Sequence, residues 1–535
     1  MPLRRWQAVP EAGPDQAEGA FASGGGMRAI ISDMRWRCLL FLFLAPAVQC
    51  LGAADWIKVS SPNFTLYTTR AENDARQTLD TFEQTRDFFR QLKAFHVTAQ
   101  PPIILVAFGS ESEYRPYTTG PFVRAYFTGD DEGDYIVMSD VGREARRVAV
   151  HEYVHAVVQH SGLRLPTWLN EGLAEVYSAM ESREGKLLLG EIPRDRADAL
   201  RSLPWMKLRD LVRIGPQSPE FNEQDRVGMF YAESCVLAHM LMLGKGYAAK
   251  FPDFLDNISA SGSEQKAFAE VYGKSLTAVE RDLRDYFQLD AMGRAAYSAE
   301  THRAATGPAT AATAVEVGLT LAEILAATGR PAEGMARLHL LAITHKDDAD
   351  LAAAAAFLEW RIGEVDTALE HFQSALSRSE AGWRAWWDYA RVLDSSGGDR
   401  AAEVNALRKV VGAKPDMLAA RIQLASLLLA TGEPAEALAL LKQAKEVAPQ
   451  YAGAVYLTMA YAALAAGLTA QAKEYAEAAG TCTLRPDEKT RLQSLLSSID
   501  RGAPAATGTA LRNAADDDPG RPTLRRQPKK PEPPE

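Results

Sequence analysis

Cysteine is scarce in this sequence: there are four in 535 residues, and Cys38 and Cys50 share one apolar N-terminal stretch. The other two, Cys235 and Cys482, are far apart in the chain, which excludes a disulfide framework as the source of stability. An excess of positive charge is missing as well. Lys and Arg number 59 against 69 Asp and Glu, a formal net charge of −10. That argues against a general nucleic-acid binder, because phosphate affinity needs clustered cations, although it leaves room for a local basic patch. The N-terminal apolar run Leu39–Val48 is too short for a comfortable membrane span.

The remaining composition, 47% hydrophobic and 24% charged, is that of soluble globular protein, with length for two or three domains. Residues 34–54, MRWRCLLFLFLAPAVQCLGAA, have a basic start (Arg35, Arg37), the apolar run, and small residues at Gly52–Ala54. This is the three-part layout of a secretory signal peptide, so the expectation is an exported protein, periplasmic or extracellular. A single-pass anchor is the alternative. Ala47-Val48-Gln49-Cys50 weakly resembles a bacterial lipidation box, although Gln before Cys fits it poorly. A membrane tether follows only if the segment is retained or lipidated. The polar leader 1–33 is odd for the front of a signal, and translation from Met27 or Met34 is an alternative start.

Downstream, WIKVSSPNFTLYTTR (56–70) alternates as one or two strands, and Ala71–Phe95 has the pattern of an amphipathic helix. PPIILVAF (101–108) reads as a buried strand, and AYFTGDDEGDYIVMS (125–139) as two strands around an acidic turn with Gly129 and Gly133 as turn residues. Helical pattern then dominates from Glu144 to about Leu289. A small sheet followed by helices predicts an α+β domain over 55–300.

From about residue 310 the chain is Ala- and Leu-rich. Gly329, Gly363, Gly397, Gly432 and Gly467 recur at intervals of 34, 34, 35 and 35 residues. Five positions after each comes Gly334, Ala368, Ala402, Ala437 or Ala472, and twelve after three of them come Ala375, Ala444 and Ala479. The pattern resembles the tetratricopeptide repeat, a helix–turn–helix unit of about 34 residues. The glycine ends the first helix, and the small residues admit close helix pairs. An all-α repeat solenoid is therefore expected over 308–500, with a protein partner as its natural ligand. The tail, 501–535, is rich in Pro and charge and is expected to be disordered.

His151-Glu152-Tyr153-Val154-His155 matches H-E-x-x-H. On a helix, positions i and i+4 share a face, so both imidazoles reach one ion. The flanks RRVAVHEYVHAVVQHSG are apolar on nearly all sides, as in a buried helix that Gly162 can end. A hydrolytic zinc needs a third protein ligand and an open position. LPTWLNEGLAEVYSAM (165–180), with a Pro-Thr helix start, puts Glu171 and Glu175 four apart on one face.

Here the sequence resembles the gluzincin metallopeptidases, and Trp168-Leu169-Asn170-Glu171-Gly172-Leu173-Ala174 is very like the W-L-N-E-G-F-A of the clan's zinc aminopeptidases. The resemblance implies a zincin-like fold, Zn2+ as cofactor, His151, His155 and Glu171 as ligands, and Glu152 as general base. It also implies that Glu175 accepts a hydrogen bond from a ligand imidazole. Tyr231, in MFYAESCVLAHML (229–241), matches the aminopeptidase oxyanion-donor tyrosine in place along the chain but lacks the Lys-Gly that follows it there. The alternative for Tyr231 is a helical core residue.

Fifteen residues (156–170) separate His155 from Glu171, fewer than in the aminopeptidases, and no G-x-M-E-N stretch precedes the motif. An endopeptidase acting on a peptide or protein substrate is accordingly favoured, with 125–139 as an edge strand for extended peptide. Of the other histidines, His160 reads as a surface or C-terminal-turn residue, whereas His239, two turns after Tyr231, could line the cleft. Trp383, Trp386 and Trp387 read as repeat core. Two readings compete with the peptidase: a repeat scaffold with a non-proteolytic zinc domain, and a zinc hydrolase acting on other bonds.

Overall fold

A computed structural model describes residues 56–501 apart from 93–94, 96, 98–102, 121–122, 131–132, 216–217, 219–223, 289–291, 299–304, 379–380, 445–446, 448, 483 and 485. The leader, the signal-like segment with Cys50, Glu132 of the acidic turn and the tail beyond Arg501 lie outside the described residues.

The first half builds a main sheet that carries most of its helices on one face, and a smaller three-stranded sheet. In chain order come β1 (Ile57–Ser60), β2 (Phe64–Thr68), α1 (Glu72–Gln91), β3 (Ile103–Ala107), α2 (Glu111–Tyr114), β4 (Ala125–Asp130) and β5 (Gly133–Met138). The strand order is β4-β5-β3-β2-β1, with the short strand Thr310–Ala311 added beyond β1. β2, β3 and β5 run parallel; β4 is antiparallel to β5 and forms the outer edge. Gly129 lies inside β4 and Gly133 opens β5, a correction to their expected place in the turn.

Side-chain alternation sorts the strands onto two buried faces. Leu66, Leu105 and Ile136 enter the main core, whereas Tyr67, Val106 and Val137 enter a second cluster on the opposite face. This is why 103–107 is apolar at every position.

On the main-core face lie α3 (Arg143–His160) and α4 (Thr167–Ser178), joined by a turn in which Gly162 adopts φ +69°. Tyr153 anchors α3 by packing edge-on against Phe64, ring centroids 5.3 Å apart. β6 (Glu181–Arg183) and β7 (Lys186–Leu189) form a hairpin whose central residues, Glu184 and Gly185, have φ 52° and 72°, as a type I′ turn requires. Then follow α5 (Arg194–Ser202), α6 (Leu208–Leu211), α7 (Gln224–Leu243), α8 (Phe251–Ser261), α9 (Glu264–Tyr272) and α10 (Leu276–Phe287). β8 (Ala295–Ser298) pairs with β7 to complete a three-stranded sheet that the helical pattern concealed. β9 is the strand Thr310–Ala311.

α4 and α7 approach closely because residue 172 is glycine. A Cβ there would stand 2.3 Å from the Ser234 carbonyl oxygen and 2.9 Å from the Ala238 Cβ. This contact fixes the helix bearing Glu171 against the helix bearing Tyr231.

The second half is a stack of helix pairs: α11 (Ala314–Ala327) with α12 (Pro331–Ala342), α13 (Ala349–Ile362) with α14 (Val365–Arg378), and α15 (Trp383–Ser396) with α16 (Arg400–Ala413). α17 (Leu418–Ala430) pairs with α18 (Pro434–Lys442), α19 (Pro449–Ala465) with α20 (Thr469–Gly480), and α21 (Pro486–Asp500) closes the stack. The five recurring glycines all have positive φ, from 66° to 102°, the conformation in which a helix ends at glycine without strain. Ala368, Ala437 and Ala472 are fully buried where paired helices meet, and Trp387 is core.

The repeats do not hang from the sheet domain. A capping box of Thr313 and Glu316 starts α11, whose Val317, Leu321, Ile324 and Leu325 pack on the second face of the sheet with Tyr67, Val106 and Tyr135. Polar contacts border this apolar layer. Tyr135 Oη donates to Glu323 Oε2 at 2.6 Å, and Arg384 Nη2 on α15 donates to Tyr135 Oη at 2.8 Å.

Candidate metal centre

α3 presents His151 and His155 one turn apart, and α4 brings Glu171 to both. Glu171 Oε2 lies 3.2 Å from His151 Nε2 and 3.5 Å from His155 Nε2. The three residues offer ligand atoms all within 4.8 Å of one another, the one such group among the described residues. Tetrahedral zinc with bonds of about 2.0–2.1 Å separates neighbouring ligand atoms by roughly 3.4 Å. The spacing to Glu171 fits that requirement.

Two buried atoms at the site add to the fit. His155 Nδ1 and Asn170 Oδ1 are both buried, and Asn170 is a polar neighbour that raises the affinity of the His155 ring for a proton. A His155 imidazole with Nε2 on a metal carries its proton on Nδ1, which a neighbouring amide oxygen can accept. The charges point the same way. Burial pushes His155 down, but the Glu171 carboxylate and its hydrogen bond outweigh burial and hold the imidazole at about 9. Burial pushes Glu171 up, and His155 and His151 outweigh it, holding the carboxyl well below the usual range. The cluster therefore attracts positive charge, which a divalent cation supplies as well as protons do.

Glu175 is 3% exposed and sits behind His151, its Oε1 3.6 Å from His151 Nδ1. Arg196 of α5 clasps it with Nε to Oε2 at 3.1 Å and Nη2 to Oε1 at 3.0 Å. Glu152 Oε2 accepts the Phe127 backbone N–H of β4 at 3.1 Å. Tyr231 on α7 lies with its ring centroid 6.3 Å from that of His151. Burial, then the charges of Glu171, Glu152 and Glu175, push the Tyr231 hydroxyl well above its ordinary value, so it stays a donor at neutral pH.

Other expectations change. His239 is fully buried, with Nδ1 2.7 Å from Tyr286 Oη and Nε2 3.0 Å from the Gly190 carbonyl. It is a satisfied core histidine and does not line a cleft. His160 lies in the last turn of α3, the C-terminal-turn reading, and is half-buried there with Nε2 2.6 Å from Asp134 Oδ2, so it ties the end of α3 to β5. Arg196, Asn170 and the Phe127 N–H were not anticipated. Asn170 stood inside the quoted Trp-Leu-Asn-Glu string, but no spacing in the sequence announces Arg196.

A tetratricopeptide repeat family model matches residues 398–456. No curated protein matches the chain. Among solved structures, a point mutant of MamA is 21% identical, covering 31% of this chain and 92% of its own, with a TM-score of 0.27. YrrB, a TPR protein with an unusual peptide-binding site, is 18% identical over 33% of this chain and 89% of its own, TM-score 0.29. A thermophilic TPR protein of Thermus thermophilus is 19% identical over 34% of this chain and 100% of its own, TM-score 0.24. Likenesses this low carry no argument about function. The C-terminal region carries tetratricopeptide repeats, and the N-terminal part of the chain contributes a small sheet to a helix-rich molecule. No described helix is long and apolar enough to cross a membrane.

Proposed function

We propose that this protein is an exported zinc metallopeptidase of gluzincin-like, zincin-type layout, with a repeat array that holds a protein partner or substrate. The observation that carries the reading is the convergence of His151, His155 and Glu171 from two helices onto one point. Repeats of this kind generally mediate protein–protein interaction, and that is the coarser statement on which the proposal builds.

Zinc at this point would polarise a scissile carbonyl and lower the pKa of a water to about 7. The protein's own groups then divide the work. Glu152 takes a proton from the attacking water and delivers it to the leaving amine. Tyr231, kept protonated, donates to the oxygen on which charge develops. Glu175 orients His151 from behind. On edge strand β4, Phe127 turns its N–H away from β5, and by alternation Ala125 and Gly129 present backbone groups the same way. An extended peptide can pair there, which suits an endopeptidase.

The test is cleavage of a mixed peptide library by the zinc-loaded protein from Ala54 onward, beside its Glu152→Gln variant. Cleavage by the wild type alone supports the reading and gives the side-chain preference. Cleavage by both sinks the assigned mechanism. A second reading, favoured by the repeat match at 398–456, is an interaction scaffold whose metal domain does no proteolysis. Zinc bound by a wild type that cleaves no peptide would put that reading, or a non-peptide substrate, first.

A further inference from the structure

We propose that Arg196 is a positioning residue that ties together the two sides of the centre, the Glu175–His151 pair on one side and Tyr231 on the other. The inference rests on the metal-centre reading above and adds to it a residue outside every motif in the sequence.

The guanidinium is used on all its edges and on one face. Nε and Nη2 form a fork on the two oxygens of Glu175 at 3.1 and 3.0 Å. Nη1 meets Asp195 Oδ2 at 3.1 Å. Its Cζ stands over the Tyr231 ring, 5.4 Å from the centroid. A planar cation with a rigid donor fork can make all these contacts at once, and a lysine ammonium cannot.

The contact to Glu175 has a consequence at the metal ligand. Glu175 is almost wholly buried, and a buried carboxylate holds one orientation where its oxygens are hydrogen-bonded. Arg147 is the other cation near it, but its guanidinium is taken by Glu144 at 2.8 Å and stands 4.0 Å from Glu175. Arg196 is thus the principal partner. With its oxygens held by the fork, Glu175 faces His151 Nδ1 and directs Nε2 toward Glu171. The cation–π contact meanwhile fixes where the Tyr231 ring stands relative to His151. α5 is thereby built into the site, although it supplies neither a ligand nor a reacting group.

The experiment measures zinc dissociation constants by competition with a chromophoric chelator for wild type, Arg196→Gln, Arg196→Lys, Glu175→Gln and the Arg196→Gln/Glu175→Gln double variant. Thermal unfolding of each metal-free protein reports whether it folds. Positioning predicts that Arg196→Gln weakens zinc by about 10- to 100-fold, and that Arg196→Lys falls between it and wild type. It also predicts that the double variant binds no more weakly than Glu175→Gln alone, because both changes break one link. A purely structural role would lower the melting temperature of the metal-free protein without that non-additivity.

Wild-type zinc affinity in a folded Arg196→Gln protein overturns the proposal, as do losses that multiply in the double variant. If Arg196→Gln does not fold, Arg196→Lys decides, and wild-type affinity in it overturns the proposal. A wild type that takes up no zinc defeats the metal-centre reading itself and this inference with it. A wild type that binds zinc but cleaves no peptide leaves the affinity measurements fully decisive.

Discussion

Glu152 Oε2 and the backbone N–H of Phe127 are 3.1 Å apart, so the carboxylate beside His151 and His155 is held against the outer edge of the sheet. Glu152, the proposed base, and the strand proposed to receive substrate are in direct contact. Glu152→Gln keeps the size and an acceptor oxygen for that N–H but cannot take a proton. Zinc affinity is expected to stay within a few-fold of wild type while kcat falls about 10²- to 10⁴-fold. An isothermal zinc titration alongside peptide turnover checks both halves; unchanged turnover would remove Glu152 from its role.

Tyr231 is the second flanking group. Tyr231→Phe removes one hydroxyl from a partly buried ring without disturbing its packing on Arg196 or Phe230. The expected outcome is a fall in kcat of about 10²- to 10³-fold with KM nearly unchanged, the signature of a donor used in the transition state. A rise in KM at constant kcat would make it a substrate-binding residue instead.

Gly172 sets the distance between α4 and α7. Gly172→Ala places a methyl group 2.3 Å from the Ser234 carbonyl oxygen, in a contact between two helix backbones that cannot relax locally. Overpacking of this kind costs about 1–3 kcal/mol. Urea unfolding should show that loss, with a drop in zinc affinity as Glu171 and Tyr231 are pushed apart. Wild-type stability would mean that the helices separate at little cost.

Glu233 gives stability a pH dependence. It is 1% exposed on α7 and accepts the Met206 N–H at 2.6 Å. Burial pushes its carboxyl up to about 7, with Met206 and Arg284 opposing. A raised acid stabilises the fold most when protonated in both states. That contribution is complete below the usual glutamate range and is lost as pH rises through about 7. The loss is about 3 kcal/mol at most, because each tenfold change in proton affinity is worth roughly 1.4 kcal/mol. Glu233→Gln should flatten the decline in urea stability between about pH 5 and about pH 8. Equal declines in both proteins would place the cause elsewhere.

Much of the candidate site's geometry was legible because its spacing is a helical property. Two histidines four apart on α3 share a face wherever the helix sits, and the same holds for Glu171 and Glu175 on α4. The repeat glycines were legible for a like reason, each being required at the left-handed end of a helix. The rest depends on contacts between distant segments. Arg196 reaches Glu175 across 21 residues, and α11 covers the sheet's second face from beyond residue 313. β6 and β7 are three and four residues long, too short for alternation to stand out against the helices around them.

The most direct test of the central claim is the metal content of the purified protein, by mass spectrometry after dialysis against metal-free buffer, with Glu171→Ala and His155→Ala in parallel. The account predicts one zinc per chain in the wild type and well under one in both variants. A wild type without stoichiometric zinc, or variants that retain it, would contradict the assignment of His151, His155 and Glu171 as a metal centre.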